Sequence, residues 1–148
     1  MEIKHEVDAL ARNMLWEVDE DLNEEVSFYE FELMYKRCIF DKSGLEPRNL
    51  FHLAEFLMFD KNERKRITIE DTLELLYVRV KNYNTDTTLD EEIEYLFGHE
   101  EKTNDGQEKE ITWAQYESKV RRRNYNMRKA KDEEKKICVS VLKSKAND

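Results

Sequence analysis

Apolar residues recur along this chain at intervals of three and four, the spacing of one face of an α-helix. Val7, Leu10, Ala11, Met14, Leu15 and Val18 predict an amphipathic helix over residues 5–18, ended by the acidic run Asp19 to Glu25. Phe28, Phe31, Met34, Tyr35, Cys38 and Ile39 predict a second helix, running to about Phe40 and stopped by Asp41-Lys42-Ser43-Gly44. A third opens at Glu46-Pro47, where a residue without an N–H suits the first turn, and carries Leu50, Leu53, Phe56, Leu57 and Phe59. After the charged stretch Asp60 to Arg66, the positions Ile69, Leu73, Leu76, Tyr77 and Val80 mark a fourth. Asn82 to Thr87 reads as a polar linker. Beyond it, Thr88 to Asp90 caps a short helix with Ile93, Leu96 and Phe97, and a polar loop from Gly98 to Glu110 leads to one long helix from Trp113 to about Lys136.

An acid-rich or polar loop, one aliphatic residue and a helix-opening capping box recur with a period of roughly 40 residues. The three instances are Val26 with Ser27 and Glu30, Ile67 with Thr68 and Asp71, and Ile111 with Thr112 and Gln115. Composition agrees with a helical chain: 40% of the 148 residues are charged, and three Gly and one Pro supply little of the turn punctuation that sandwiches and barrels need. No apolar run approaches the roughly 20 residues of a membrane-spanning helix, and Met1 to Glu6 has no signal-peptide pattern, so a soluble, cytoplasmic protein is expected. Cys38 and Cys138, far apart, read as isolated reduced thiols. Charge is distributed unevenly. Ser118 to Asp148 holds 11 Lys and Arg against 4 Asp and Glu, a surplus of seven positive charges that leaves residues 1–117 at −16 within a total of −9.

The repeated unit resembles the EF-hand, a helix, a 12-residue calcium-binding loop and a second helix, and residues 7–120 are similar to the calmodulin, centrin and light-chain superfamily. In the first loop, Asp19 to Glu30, oxygen-bearing side chains stand at positions 1, 3, 5, 9 and 12 as Asp19, Asp21, Asn23, Ser27 and Glu30, and position 7, Glu25, offers its backbone carbonyl. A hard cation such as Ca²⁺ takes 6 to 8 oxygens, which alternate residues of a tightly turning loop can aim at one centre. The resemblance implies a single Ca²⁺ held by these six residues, with Glu30 closing the shell. At position 6 the family places Gly, and this chain has Glu24.

The second loop, Asp60 to Asp71, keeps positions 1, 3 and 9 but has Arg64 at position 5, Lys65 at the Gly position and the short Asp71 at position 12. It is expected to bind no metal, with Arg64 or a neighbouring base set against Asp60 and Asp71 in the ion's place. The third unit, with Asn104-Asp105-Gly106, is a degenerate hand. The fold expected is therefore all-α, with helix-loop-helix units and a two-stranded bridge between paired loops. Residues 1–83 form a pair of hands (about 5–40 and 46–83), residues 84–120 the third unit, and residues 121–148 a basic extension. Within the pair, Val26 is expected to bridge to Ile67. The third unit is left to lean on the first lobe, to use Ile137 to Leu142, or to find a mate in another protein.

Met14, Met34, Met58, Trp16, Phe28, Phe31, Tyr35, Phe51, Phe56 and Phe59 either line a groove for a partner's amphipathic helix or close into a core, and about two-thirds are expected inside. Lys119, Arg121, Arg122, Arg123, Arg128, Lys129 and Lys131 form the candidate partner-binding stretch. It suits an acidic protein surface such as a microtubule, a clasp onto the acidic first hand, or plain solvation. A strongly acidic body argues against nucleic acid. His5, His52 and His99 are isolated and no phosphate-binding loop occurs, so no enzyme is expected. The resemblance implies a non-catalytic adaptor or light-chain-like subunit of a cytoskeletal or ciliary axonemal assembly. The alternative is a calcium sensor or buffer with one working site.

Overall fold

The computed structural model describes residues 2–83, 87–100 and 102–147, with side chains from Lys4 onward. Six helices and one two-stranded sheet follow in the order α1 (Glu2–Trp16), α2 (Phe28–Phe40), α3 (Asn49–Phe59), β1 (Arg66–Thr68), α4 (Ile69–Tyr83), α5 (Leu89–Phe97), β2 (Glu110–Thr112) and α6 (Trp113–Ala146). The capping boxes start their helices as predicted. Ser27 with Glu30 opens α2, Thr112 with Gln115 opens α6, and Thr88 with Glu91 opens α5. Thr68 and Asp71 exchange the equivalent bonds at the start of α4. In each the side chains satisfy backbone N–H groups that a helix N-terminus leaves without partners.

Three helices have boundaries that differ from the sequence reading: α1 spans Glu2–Trp16 against the predicted 5–18, and the start of α3 and the end of α6 also move. Pro47 lies ahead of α3 instead of in its first turn, and its carbonyl accepts the Cys38 thiol at 3.4 Å. The segment is fixed by Asp41, whose carboxylate accepts the Ser43 amide and hydroxyl at 2.8 and 2.5 Å and the Arg48 guanidinium at 2.9 Å. Burial works against ionising Asp41, but the bonds from Ser43, Arg48 and the Glu46 amide prevail and hold its pKa down to about 2. At the other end, α6 does not stop near Lys136 but runs to Ala146, since nothing in its polar, propensity-rich sequence breaks it.

The expected bridge between Val26 and Ile67 is not formed. β1 pairs antiparallel with β2, in register Arg66 with Thr112, Ile67 with Ile111 and Thr68 with Glu110. Ile67 and Ile111 are buried, whereas Val26 is 42% exposed. Burial of apolar area decides the choice. Ile67 and Ile111 enter one core with Phe56, Phe59, Leu76, Leu96, Phe97, Tyr116 and Val120, drawn from α3, α4, α5 and α6. A smaller cluster, Val18, Met34, Cys38 and Phe51, closes α2 against the start of α3. The second and third units therefore share a core, and the first stands beside them. Residues 84–86 of the predicted linker lie outside the described residues.

Glu55 of α3 ties these parts together. Its carboxylate, 3% exposed, forms an ion pair with Arg79 of α4 and accepts the hydroxyls of Tyr35 from α2 and Tyr116 from α6, each at 3.3 Å. Removing one partner of a buried pair strands the other charge without water, a loss of about 3–5 kcal/mol. Glu55→Gln is expected to lower the urea unfolding free energy by about 3 kcal/mol, and Tyr35→Phe by only about 1 kcal/mol. Equal losses from both substitutions would show that the carboxylate is not the central element.

Candidate metal centre

The first and second loops trace the same backbone. Leu22 and Glu24 in the first have φ of 60° and 63°, and Glu63 and Lys65, at the equivalent positions of the second, have φ of 53° and 62°. A side chain in this left-handed region costs about 1 kcal/mol or more, so each loop must repay the strain locally. It does so through its first aspartate. Asp19 accepts the amides of Asn23 at 3.1 Å and Glu24 at 2.8 Å. Asp60 accepts those of Arg64 at 3.0 Å and Lys65 at 2.8 Å. The absence of Gly at Glu24 thus leaves the turn in place.

In the first loop this geometry gathers three of the six predicted ligands. Asp19, Asp21 and Glu30 place carboxylate oxygens all within 4.8 Å of one another, with Asp19 and Glu30 buried and Asp21 exposed. One ion can bridge such a set. Glu30 is aimed by three donors: the Glu20 amide at 3.1 Å on one oxygen, and the Ser27 amide and hydroxyl at 2.9 and 2.8 Å on the other. Of the remaining predicted ligands, Asn23 turns inward on the loop, donating to Asp21 at 3.3 Å and accepting the Glu25 amide at 2.9 Å. Ser27 is engaged with Glu30, and the Glu25 amide is held by Asn23. Hydrogen bonds at these three positions brace the loop around the cluster.

Charge is unequal across the cluster. The hydrogen bonds from Ser27 and Glu20 hold Glu30 below the usual carboxylate range. Lost hydration, a shared hydrogen bond with Asp19 and the negative charges of Glu30 and Asp19 push Asp21 up, against the Asn23 amide, which favours its ionised form. Repulsion among three carboxylates is the condition that a bound cation relieves. The oxygen-only donor set fits a hard divalent ion and does not distinguish calcium from others.

In the second loop a cation is built into the chain. Arg64 donates to Asp71 at 2.9 Å and lies 3.6 Å from Glu110, while only its amide reaches Asp60. The expected counter-ion is therefore found at Asp71 and is shared with β2, but it does not meet Asp60. No family model, curated protein or solved structure matches this chain.

The predicted partner-binding stretch is divided by the fold. Lys119 reaches the Tyr95 carbonyl at 3.3 Å. Arg121 pairs with Glu117 at 2.7 Å, and Arg123 pairs with Glu92 at 2.9 Å while stacking 3.8 Å above the Tyr95 ring. Lys131 pairs with Glu134 at 2.9 Å, and Arg122, Arg128 and Lys129 are exposed. No helix among the described residues is long and apolar enough to cross a membrane. The sequence reading gave no role to Glu55 and Arg79, and took Asp41 only as part of a helix stop and His52 as an isolated histidine. A signal existed for Glu55, which shares the apolar face of α3 with Phe51, His52 and Phe59 at helical spacing.

Divalent cation binding measured by calorimetry is expected to fall about tenfold or more in Glu30→Gln and to be unchanged in Asp60→Ala. Binding should also weaken as pH falls into the carboxylate range, because protonating Asp21, whose pKa is raised, removes one of the three charges that face the ion. Arg64→Ala is expected to cost no more than about 1 kcal/mol of stability, since the pair is partly exposed, and to create no cation site.

Proposed function

We propose that this chain is a non-catalytic EF-hand-type adaptor, a light-chain-like subunit of a larger assembly, in which the second and third units form a metal-free scaffold. The observation that carries this reading is the common backbone of the two loops. One loop keeps carboxylates where the resemblance puts metal ligands, and the other sets Arg64 against Asp71. Retained shape with a substituted cation favours a scaffold over a chain of sensors. Exposed Trp16, Leu22, Phe28 and Tyr29, between 66% and 81% accessible, offer apolar area on the first unit. The far half of α6 adds a basic rod with exposed Ile137 and Leu142.

By this reading the partner is a protein, and its home is a cytoskeletal or ciliary axonemal structure with an acidic filament surface. The same reading makes Arg122, Arg128 and Lys129 the docking charges, since Arg121 and Arg123 are engaged within the chain. The second reading, a calcium sensor with one working site, is favoured by the convergence of Asp19, Asp21 and Glu30.

Co-sedimentation with stabilised microtubules tests the first reading. Full-length protein is expected to pellet in a salt-sensitive manner, and neutralising Arg122, Arg128 and Lys129 to Gln should weaken this several-fold. Binding that ignores salt and these substitutions would remove the tail from the docking surface. Saturation by micromolar Ca²⁺ in the presence of millimolar Mg²⁺, lost in Glu30→Gln, would establish the sensor instead.

A further inference from the structure

The last turns of α6 are exposed on every side. The helix continues to Ala146, yet each residue from Asp132 to Asn147 faces solvent. A free helix of about 15 residues is marginal in water, so this segment is stabilised by whatever surface covers it. Its apolar side chains fall on one face. Ile137, Cys138, Val141 and Leu142 stand at i, i+1, i+4 and i+5, and Ile137 and Leu142 are 63% and 67% exposed. Lys145 follows on the same face one turn after Val141, and Lys135 borders it. Residues 135–147 contain four Lys and no Asp or Glu.

A groove of about 940 Å³ lies between α4, α5 and the loop that follows α5. Ile69, Leu73, Leu89 and Ile93 form its floor; Leu73 is 39% exposed, and the other three are half-buried against the main core. Glu70, Asp90, Glu94 and Glu108, all exposed, border it. The cations there are Lys102 and, when protonated, His99, which is held by Glu94 at 2.7 Å. An apolar floor with an acidic border is the complement of the face that ends α6. At about 30 Å³ for each heavy atom, the space taken by a liquid water molecule, the groove admits about 30 heavy atoms, one face of about two helical turns. The tail of the same copy is carried elsewhere. Val120 is the last residue of α6 in the core, and at about 1.5 Å per residue Ile137 lies about 25 Å further along the axis. Beyond Val120 the helix passes the turn between α2 and α3, where Asn124 and Arg128 lie beside Gly44.

We propose that the groove between α4 and α5 takes the end of α6 from a second copy of this chain. Ile137, Cys138, Val141 and Leu142 cover the floor, which removes apolar area of both copies from water. Lys135 and Lys145 meet the carboxylates of the border, and this pairing sets the register of the helix in the groove. Reciprocal exchange fills both grooves with both tails and closes the pair as a two-fold dimer. The contact uses none of Arg122, Arg128 and Lys129 and none of the carboxylates of the first loop. It therefore stands apart from docking on an acidic filament and from cation binding.

Sedimentation velocity on the full chain, from about 1 to about 200 µM, is expected to show a monomer–dimer equilibrium with a Kd on the order of 10 µM. Val141→Asp with Leu142→Asp changes exposed positions only and should raise that Kd about tenfold or more. Two charge reversals test the pairing. Glu94→Lys with Glu108→Lys, both exposed and outside the first turn of any helix, should weaken the dimer of that variant about tenfold, as should Lys135→Glu with Lys145→Glu. An equimolar mixture of these two variants is expected to restore it, since each groove then faces a tail of opposite charge. The Cys138 thiol should react several-fold more slowly in the dimer, against a silent background, because Cys38 is buried and its pKa is pushed up to about 12. A monomer at the highest concentration, or a mixture that stays monomeric, would overturn the proposal. A dimer that survives reversal of the groove charges would do the same and assign the contact to two tails laid side by side.

Discussion

The buried contact between Glu55 and Arg79 is the polar point at which side chains of α2, α3, α4 and α6 all meet. It lies between two clusters of apolar side chains that both draw on α3, one around Met34 and Phe51, the other around Ile67, Phe97 and Tyr116. Apolar burial is not directional and would tolerate several arrangements of these helices. A carboxylate that needs Arg79 and the hydroxyls of Tyr35 and Tyr116 together accepts few. Through Tyr35 the first unit takes its place beside the other two, although it contributes no strand to their sheet.

The same logic of compensated charge runs through the loops. Asp19 and Asp60 each fold a strained turn around a carboxylate by collecting two backbone amides. What differs is the rest of the loop. Arg64 makes the second self-sufficient by pairing with Asp71 and lying near Glu110, which also fastens it to the sheet. The first brings Asp21 and Glu30 up to Asp19 with no cation of its own among them, so a chemical role is concentrated where the chain leaves repulsion uncompensated. The arginines that line the cavity beside His52 are a third variation, with Arg48, Arg79 and Arg123 each paired with its own carboxylate, Asp41, Glu55 and Glu92.

Much of this was legible from the sequence. The 3.6-residue periodicity located the helices among the described residues, and the Ser or Thr of each cap marked four of their starts, because both signals act over a single turn. Asp19, Asp21 and Glu30 were legible for a similar reason: one short loop carries them, and its turn needs only neighbouring residues. Asn23, Ser27 and Glu25 were placed on the same loop correctly, but their hydrogen bonds within the loop were not foreseeable from spacing. Pro47 misled, since the competing demand came from Asp41 and Arg48, which pin the chain ahead of α3.

Sequence by itself determined the elements, the acidic loop, the substituted cation at Arg64 and the separation of a negative body from a positive tail. Each depends on residues within about a dozen positions of one another or on plain charge. Tertiary structure alone decided that Ile67 meets Ile111 and leaves Val26 exposed, since the two candidate bridges differ in the core they complete and not in their local pattern. It also decided which basic residues of α6 are engaged, and that Arg48, His52, Arg79 and Asn124 surround one cavity. Those residues are up to 76 positions apart in the chain, and only helix packing makes them neighbours.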